Sequence, residues 1–368
     1  GAVTYGHRFL GGTKKGAFAP LPVRDEASYR KALNTHGVTV DPAQRRELID
    51  AQVALHAKAL HGQAHRDEAL IDQAVFSVEC PHTIVGTFNP QYLALPTDII
   101  VTAMKEHQGF FSVHNADGSL LPNFLAVTNM RLSNMNLIRA GNERVLAARL
   151  ADAKFYFEED RKVSMAARAE QLHQVVFHQK LGTLEQKRDR TVHLAEILLN
   201  ALSVGPDVAE RCRRAAYLAK ADLLSGVVGE FPALQGVMGG AYAAHDGEPV
   251  DVCRAIRDQY LPQGLEGPLP EELPGRILSL ADRLDAVAGF FAVGMAPTGS
   301  EDPLALRRQA LAVIRILVEG HLKLPLALVV RSAHELVLAQ GFGLSKGGQQ
   351  GKPGAGVGAG VGTAPDPV

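Results

Sequence analysis

GEFPALQGVMGGAYAAHDGEP, residues 229–249, carries five glycines and a His245-Asp246 pair near its end. A nucleotide phosphate loop would need a preceding strand and a Gly-Lys-Ser/Thr ending, which supplies a lysine and a magnesium-binding hydroxyl. Neither is present, so the glycines do not read as a phosphate cradle. The His245-Asp246 pair stands directly before Gly247 and reads as a turn, because a metal would need further ligands.

Working outward, the surroundings of this run are helical. Beyond Asn142 strand signals largely disappear. NERVLAARLADAKFYFEEDRK (142–162), RTVHLAEILLNAL (190–202), DVAERCRRAAYLAKADLLSGVV (207–228), GRILSLADRLDAVAGFF (275–291) and DPLALRRQALAVIRILVEG (302–320) all repeat apolar residues at helical spacing, with glycine or proline between them. In the third segment Val208, Cys212, Ala215, Ala219 and Leu223 form one stripe, the pattern of a core-facing helix.

The first 130 residues are mixed α and β. Asp41-Pro42 is a helix start, and the alanine-rich run after it predicts a long helix towards Ala64. DEALIDQAVFSVECP (67–81) begins as a helix with Leu70, Ile71 and Val75 on one face and stops before Pro81. Thr97-Asp98 opens a short helix that ends near Gly109, and the apolar runs on either side of Asn115-Ala116-Asp117-Gly118 predict a hairpin.

Length and composition bound the rest. A chain of 368 residues can bury two or three cores, and no apolar run approaches the length of a membrane span, so a soluble protein is expected. Cys80, Cys212 and Cys253 lie far apart without paired zinc-site spacing, which fits a reducing, cytosolic compartment. The net charge of −1 excludes a polycation, so any nucleic-acid contact must come from local basic patches. No signal peptide is expected at the start, and the absence of an initial methionine suggests a fragment. Residues from about Gly347 to Val368 have too little large apolar surface to offset the cost of ordering, so a disordered tail is expected.

Catalytic signatures are weak. There is no Gly-x-Ser-x-Gly elbow and no cysteine in a protease signature. His61 and His65 are four apart, but Gly-Gln-Ala between them lacks the Glu of a metalloprotease helix, so a solvated helix face is the better reading. Basic clusters occur at Lys187-Arg188-Asp189-Arg190, at Arg211 with Arg213-Arg214, and at Arg307-Arg308 with Arg315. Such cations on helices either neutralise phosphates or form a wet surface.

Five ordered stretches together resemble the β subunit of the bacterial heterotetrameric glycine–tRNA ligases: GHRFL (6–10), LPTDIIVTAMKEHQGFFSV (95–113), GNERVLAARLADAKFYFEED (141–160), KADLLSGVVGEFPALQGVMGGAYA (220–243) and PTGSEDPLALRRQAL (297–311). The resemblance spans about residues 1–340 and corresponds to the middle of the family's longer chain. It implies an α+β chain: a mixed α/β domain at 1–130 resembling a synthetase β-chain tRNA-binding module, a helical linker at 131–170, an all-helical domain at 171–340 resembling a degenerate metal-dependent His-Asp phosphohydrolase, and a tail at 341–368. The opening run would then belong to that helical scaffold.

At the approximate place of the phosphohydrolase His-Asp pair this chain has Leu218-Ala219-Lys220-Ala221-Asp222, and the upstream histidine position falls at Arg190, with His193 nearby. A protonated lysine offers a metal no lone pair, and Lys220 and Asp222 would lie roughly 200° apart on an ideal helix. The resemblance therefore implies a scaffold without its metal, whose cations make the pocket tolerant of phosphate. Two departures stand out: Glu79-Cys80-Pro81 replaces the family's usual EWP, which leaves a void unless neighbours compensate, and Gly240 stands where arginine is expected.

By this resemblance the chain has no catalytic residue and no cofactor of its own. A companion α subunit would use ATP and Mg2+ to activate glycine, while this chain grips and orients tRNA(Gly) within an α2β2 assembly in the cytoplasm. Lys187, Arg188, Arg190, Arg213, Arg214, Lys220, Arg307 and Arg308 are the expected RNA or subunit contacts. The rivals are a working metal-dependent nucleotide phosphohydrolase and a purely structural interaction module.

Overall fold

A computed structural model describes residues 2–10, 19–131, 134–264, 266–299 and 301–343. Almost all of the expected tail lies outside the described residues. The chain divides into two compact units, Gly1–Phe155 and Tyr156–Val368.

The first unit opens with β1 (Ala2–Thr4) paired to β2 (Leu21–Val23), then α1 (Glu26–Thr35), which is closed at its start by an Asp25–Ser28 capping box. Next come α2 (Pro42–Ala59), β3 (Gln63–Ala64), α3 (Glu68–Ser77), β4 (His82–Thr87), α4 (Thr97–Gln108), β5 (Phe110–His114) and β6 (Leu120–Thr128). Strands β3 to β6 form an antiparallel sheet in the order β3-β5-β6-β4. The β5–β6 hairpin turns at Asn115–Gly118 as the turn residues predict, with Gly118 at φ +84°.

Strand alternation divides the unit's core. Phe111, Val113 and Leu125 pack with Ile49 and Ala57 of α2 and Leu70, Ile71 and Val75 of α3. Phe110 and Phe124 stack with centroids 4.4 Å apart, and a Cβ on Gly86 would collide with the Phe124 ring.

Helix α2 ends sooner than its composition predicts. His61 takes a left-handed backbone at φ 56°, and Gly62 passes so close to β5 that a Cβ would stand 2.8 Å from the His114 carbonyl oxygen. The chain therefore leaves the helix at Leu60 and becomes β3, so His61 and His65 do not share a helix face. Cys80 is half-buried, and its backbone N–H donates to Asn129 Oδ1.

Helix α5 (Met135–Asp160) crosses the division between the units. The second unit continues through α6 (Met165–Glu170), a short ribbon of β7 (Val176–His178) and β8 (Gly182–Thr183), then α7 (Leu184–Ala201), α8 (Pro206–Leu218), α9 (Gly226–Glu230), α10 (Val237–His245), α11 (Val250–Asp258), α12 (Leu273–Ala292), α13 (Leu306–Glu319) and α14 (Leu326–Ala339). Helix α12 is buried nearly all round, and α7, α8, α11, α13 and α14 pack against it.

The expected linker at 131–170 does more than connect. Buried Asp160 accepts the N–H groups of Gly226 and Val227 and the Tyr242 hydroxyl, all within 2.9 Å, and pairs with Arg168. Those bonds hold α5, α6, α9 and α10 together. His245 ends α10, and Asp246 beyond it accepts the Met165 N–H at the start of α6, so the pair closes a turn.

Gly240 is a packing glycine. A Cβ there would lie 2.8 Å from the Cys253 carbonyl oxygen and 3.0 Å from Arg257 Cβ, so α10 touches α11 where an arginine was expected. Gly240→Ala gains up to about 1 kcal/mol of helix propensity. It also forces a rigid carbonyl aside at about 1–3 kcal/mol. The expected outcome is net destabilisation, read as a lower urea midpoint with an unchanged slope.

Candidate functional site

The residues expected to meet phosphate fall into two groups, and burial separates them. Lys187 and Arg190 lie on the inner face of α7. Arg190 is 1% exposed, and its Nε and Nη2 reach the two carboxylate oxygens of Asp285 on α12 at 2.5 and 3.2 Å. This is the planar fork that only a guanidinium presents. Its Nη1 donates to Gln340 Oε1 at 2.6 Å, just past α14.

Lys187 Nζ lies 2.9 Å from Asp285 Oδ2 and 3.0 Å from Asp282 Oδ1, with the Phe177 ring centroid 4.8 Å away. Lys220 Nζ meets the other oxygen of Asp282 at 3.0 Å and lies 3.9 Å from the centre of the Tyr260 ring. Two ammonium groups therefore share one carboxylate, and an ammonium and a guanidinium share its neighbour. Burial alone would raise the Asp282 carboxyl. The charges of Lys187 and Lys220 outweigh it and hold the group far below the usual carboxylate range.

Lys220 and Asp222 do not stand on one helix. Helix α8 stops at Leu218, Lys220 takes a left-handed backbone at φ 69°, and Asp222 follows in a short 3₁₀ turn, Ala221–Leu224. The single helix expected over 207–228 is broken there, which ends the predicted stripe at Ala219. The break serves the start of α10: fully buried Asp222 accepts the Gly236 N–H at 2.5 Å and the Gly239 N–H at 3.2 Å. Burial pushes its carboxyl up from the ordinary value, against the pull of those two bonds and of Lys220.

Arg188 is buried by a different route, donating to the Ala169 carbonyl and to Asp189 while it stacks 4.8 Å over Tyr217. The outer cations stand on the surface in pairs: Arg213 with Glu196, Arg214 in a fork on Glu248, and Arg211 with Asp251. Arg307 donates to the Gly299 carbonyl, and its backbone N–H, like that of Leu306, is held by Asp302. Asp302 thus caps α13 from four residues before the helix begins. Arg308 is exposed at the same end and is also engaged.

The expected phosphate-tolerant pocket therefore needs correcting in its geometry. Arg190, Lys187 and Lys220 are turned inward and neutralised, and an incoming phosphate would have to displace Asp282 or Asp285 to reach them. Arg213, Arg214, Arg307 and Arg308 remain within reach of a partner. Sequence reasoning missed Asp282 and Asp285. The signal was present in the spacing, since aspartates three apart in an apolar helix share its buried face. Among the described residues no group of three or more His, Cys, Asp or Glu is placed to hold a metal ion. Nor is any helix among them long and apolar enough to cross a membrane.

Arg190→Met leaves Asp285 with Lys187 alone and should cost about 3–5 kcal/mol of stability, measured by urea denaturation. The depressed Asp282 carboxyl adds a pH dependence. Its contribution is whole above the unfolded-state pKa, near 4, and is lost as pH falls further towards the folded-state value. The acid-side fall in melting temperature should therefore be shallower in Asp282→Asn, which starts from a lower melting temperature at neutral pH.

Comparison with known proteins adds a consistent picture. The profile of the family described as "Glycyl-tRNA synthetase beta subunit" matches residues 1–350. The glycine–tRNA ligase beta subunit of Geobacter sp. (strain M21) is 44% identical over 340 residues, 92% of this chain and 48% of that protein. Its counterpart in Moorella thermoacetica is 43% identical over 343 residues, covering 93% of this chain and 49% of the relative. That of Desulforamulus reducens is 43% identical over 332 residues, 90% of this chain and 47% of the relative. The chain thus spans about half the length of the curated relatives it matches. Since the family profile covers nearly all of its length, the chain belongs to the glycyl-tRNA synthetase beta subunit family.

Proposed function

We propose that this chain is a non-catalytic part of a glycine–tRNA ligase, gripping and orienting tRNA(Gly) and docking an α subunit that carries the active site. Membership of the family over residues 1–350 carries this reading. Binding energy spread over a wide surface would place the tRNA acceptor end for glycyl transfer, a contribution of orientation rather than of bond chemistry. ATP and Mg2+ would be used by the α subunit in an α2β2 assembly, and the cytoplasm is the compartment this implies.

The N-terminal unit is read as a tRNA-binding module and the second unit as a phosphohydrolase-like scaffold put to another use. The ion cluster supports the second part. Asp282 and Asp285 are held by Lys187, Lys220 and Arg190, so a divalent ion would have to expel bound cations to use those carboxylates. That weighs against the rival reading, a metal-dependent nucleotide phosphohydrolase. Among the original RNA contacts, Arg213, Arg214, Arg307 and Arg308 stay in the proposal as surface groups.

The deciding experiment is co-purification with the α subunit and glycine tRNA, followed by glycylation with and without this chain. Charging that rises on adding the chain is expected. Stoichiometric bound metal with nucleotide turnover by this chain alone would overturn the proposal.

A further inference from the structure

The first unit contains an open cleft of about 470 Å³ that none of the preceding roles uses. That volume lies within the range of about 300–1,000 Å³ typical of small-molecule sites. One wall is a single face of α2, since Asp50, Val53, Ala54, Ala57 and Lys58 follow helical spacing. The opposite wall is the chain just after the left-handed His61, from Gly62 to Arg66. Ile71 and Phe111, both nearly buried, close the bottom.

The bend at His61 and Gly62 makes this cleft. Had α2 continued straight, residues 62–66 would lie beyond its end along the axis, and the Asp50–Lys58 face would have no facing wall from this segment. The bend instead sends β3 to the sheet edge, where His65 donates its N–H to the Ser112 carbonyl and its ring lies 5.9 Å from that of His114. A non-glycine residue held in this backbone region is strained, and such strain gathers at working sites.

The chemistry of the walls is mixed in a definite way. Val53 and Ala54 are apolar and reachable, and His65 offers an exposed aromatic face. Lys58 is exposed and in no ion pair among the described residues, whereas every candidate cation facing the second unit's core is neutralised. Arg66 stands at the rim but is already ion-paired with Glu68, and half-buried Asp50 supplies one carboxylate in no ion pair among the described residues. A flat apolar body with an anionic group at one end and a hydrogen-bond donor at the other fits this set. Protein sites that take unstacked nucleotides combine the same parts: an aromatic face, a cation for phosphate and an acceptor for an exocyclic amine.

We propose that this cleft holds one nucleotide, its base between the Val53–Ala54 wall and His65, its phosphate at Lys58, and its exocyclic amine at Asp50. The inference rests on the RNA-gripping reading for its natural source, an unstacked residue of a tRNA, but not for its chemistry, which a free nucleotide shares.

The test is hydrogen-exchange protection of residues 54–66 in the full chain, with 5′-AMP, CMP and UMP in one arm and tRNA(Gly) in the other. Lys58→Ala and Ala54→Phe, both at exposed positions, are checked for unchanged melting. Protection by a mononucleotide, stronger for AMP and CMP than for UMP, identifies a free-nucleotide site. Protection by tRNA alone identifies an RNA residue. In either case Lys58→Ala should weaken binding about fivefold to tenfold, and Ala54→Phe should abolish the protection. No protection in either arm, or protection that survives both variants, overturns the proposal. Retained tRNA affinity without protection here would overturn it while leaving the RNA-gripping reading in place.

Discussion

Asp282 and Asp285, three residues apart on α12, hold the second unit's interior in register by drawing in Lys187 and Arg190 from α7 and Lys220 from the bend after α8. Such a cluster is not the cheapest way to fill a core. Well-packed apolar residues would serve as well or better, but once the ions are buried, losing one partner strands the others at a cost of several kcal/mol. The cluster therefore constrains geometry more than it adds stability. Arg190's fork and the ammonium of left-handed Lys220 satisfy the two carboxylates, and Gln340 beyond α14 takes the remaining Nη1 of Arg190.

A second constraint recurs at the element ends. Asp160, Asp222, Asp246 and Asp302 each accept backbone N–H groups at or near the start of a helix. Helix starts leave such donors without intrahelical partners, and a buried start must find acceptors. Three of these acceptors come from distant sequence: Asp160 reaches Gly226 across 66 residues and Asp246 reaches Met165 across 81, while Asp222 holds Gly236 fourteen residues on. They close the unit by tying segments that local propensity alone would leave separate.

Much of the architecture was legible in the sequence. The Asn115–Gly118 turn, the Leu70–Ile71–Val75 face of α3 and helices α5, α7, α8, α12 and α13 follow from periodicity and turn chemistry, whereas α10 and α11 carry no such reading in the sequence. The misreadings share one cause. Alanine-rich composition favours a helix running to Ala64, yet the close approach of Gly62 to β5 ends α2 sooner. The apolar stripe of 207–228 continues past Lys220 and favours one helix, yet the capture of that lysine by Asp282 and of the Gly236 N–H by Asp222 breaks it. In each case a long-range contact overrode a local preference.

Helical and strand periods, the hairpin and the family can be read from the amino-acid order, because neighbouring residues or long ordered matches carry them. Which cations are available to a partner emerges from the packing. Lys187-Arg188-Asp189-Arg190 looks the same in sequence whether it faces water or not. Arg190's partner lies 95 residues away, and no local charge pattern reveals that a basic side chain has been neutralised at that distance. Burial and ion pairing are properties of the assembled packing, so the inward and outward cations separate only once α7 and α12 meet.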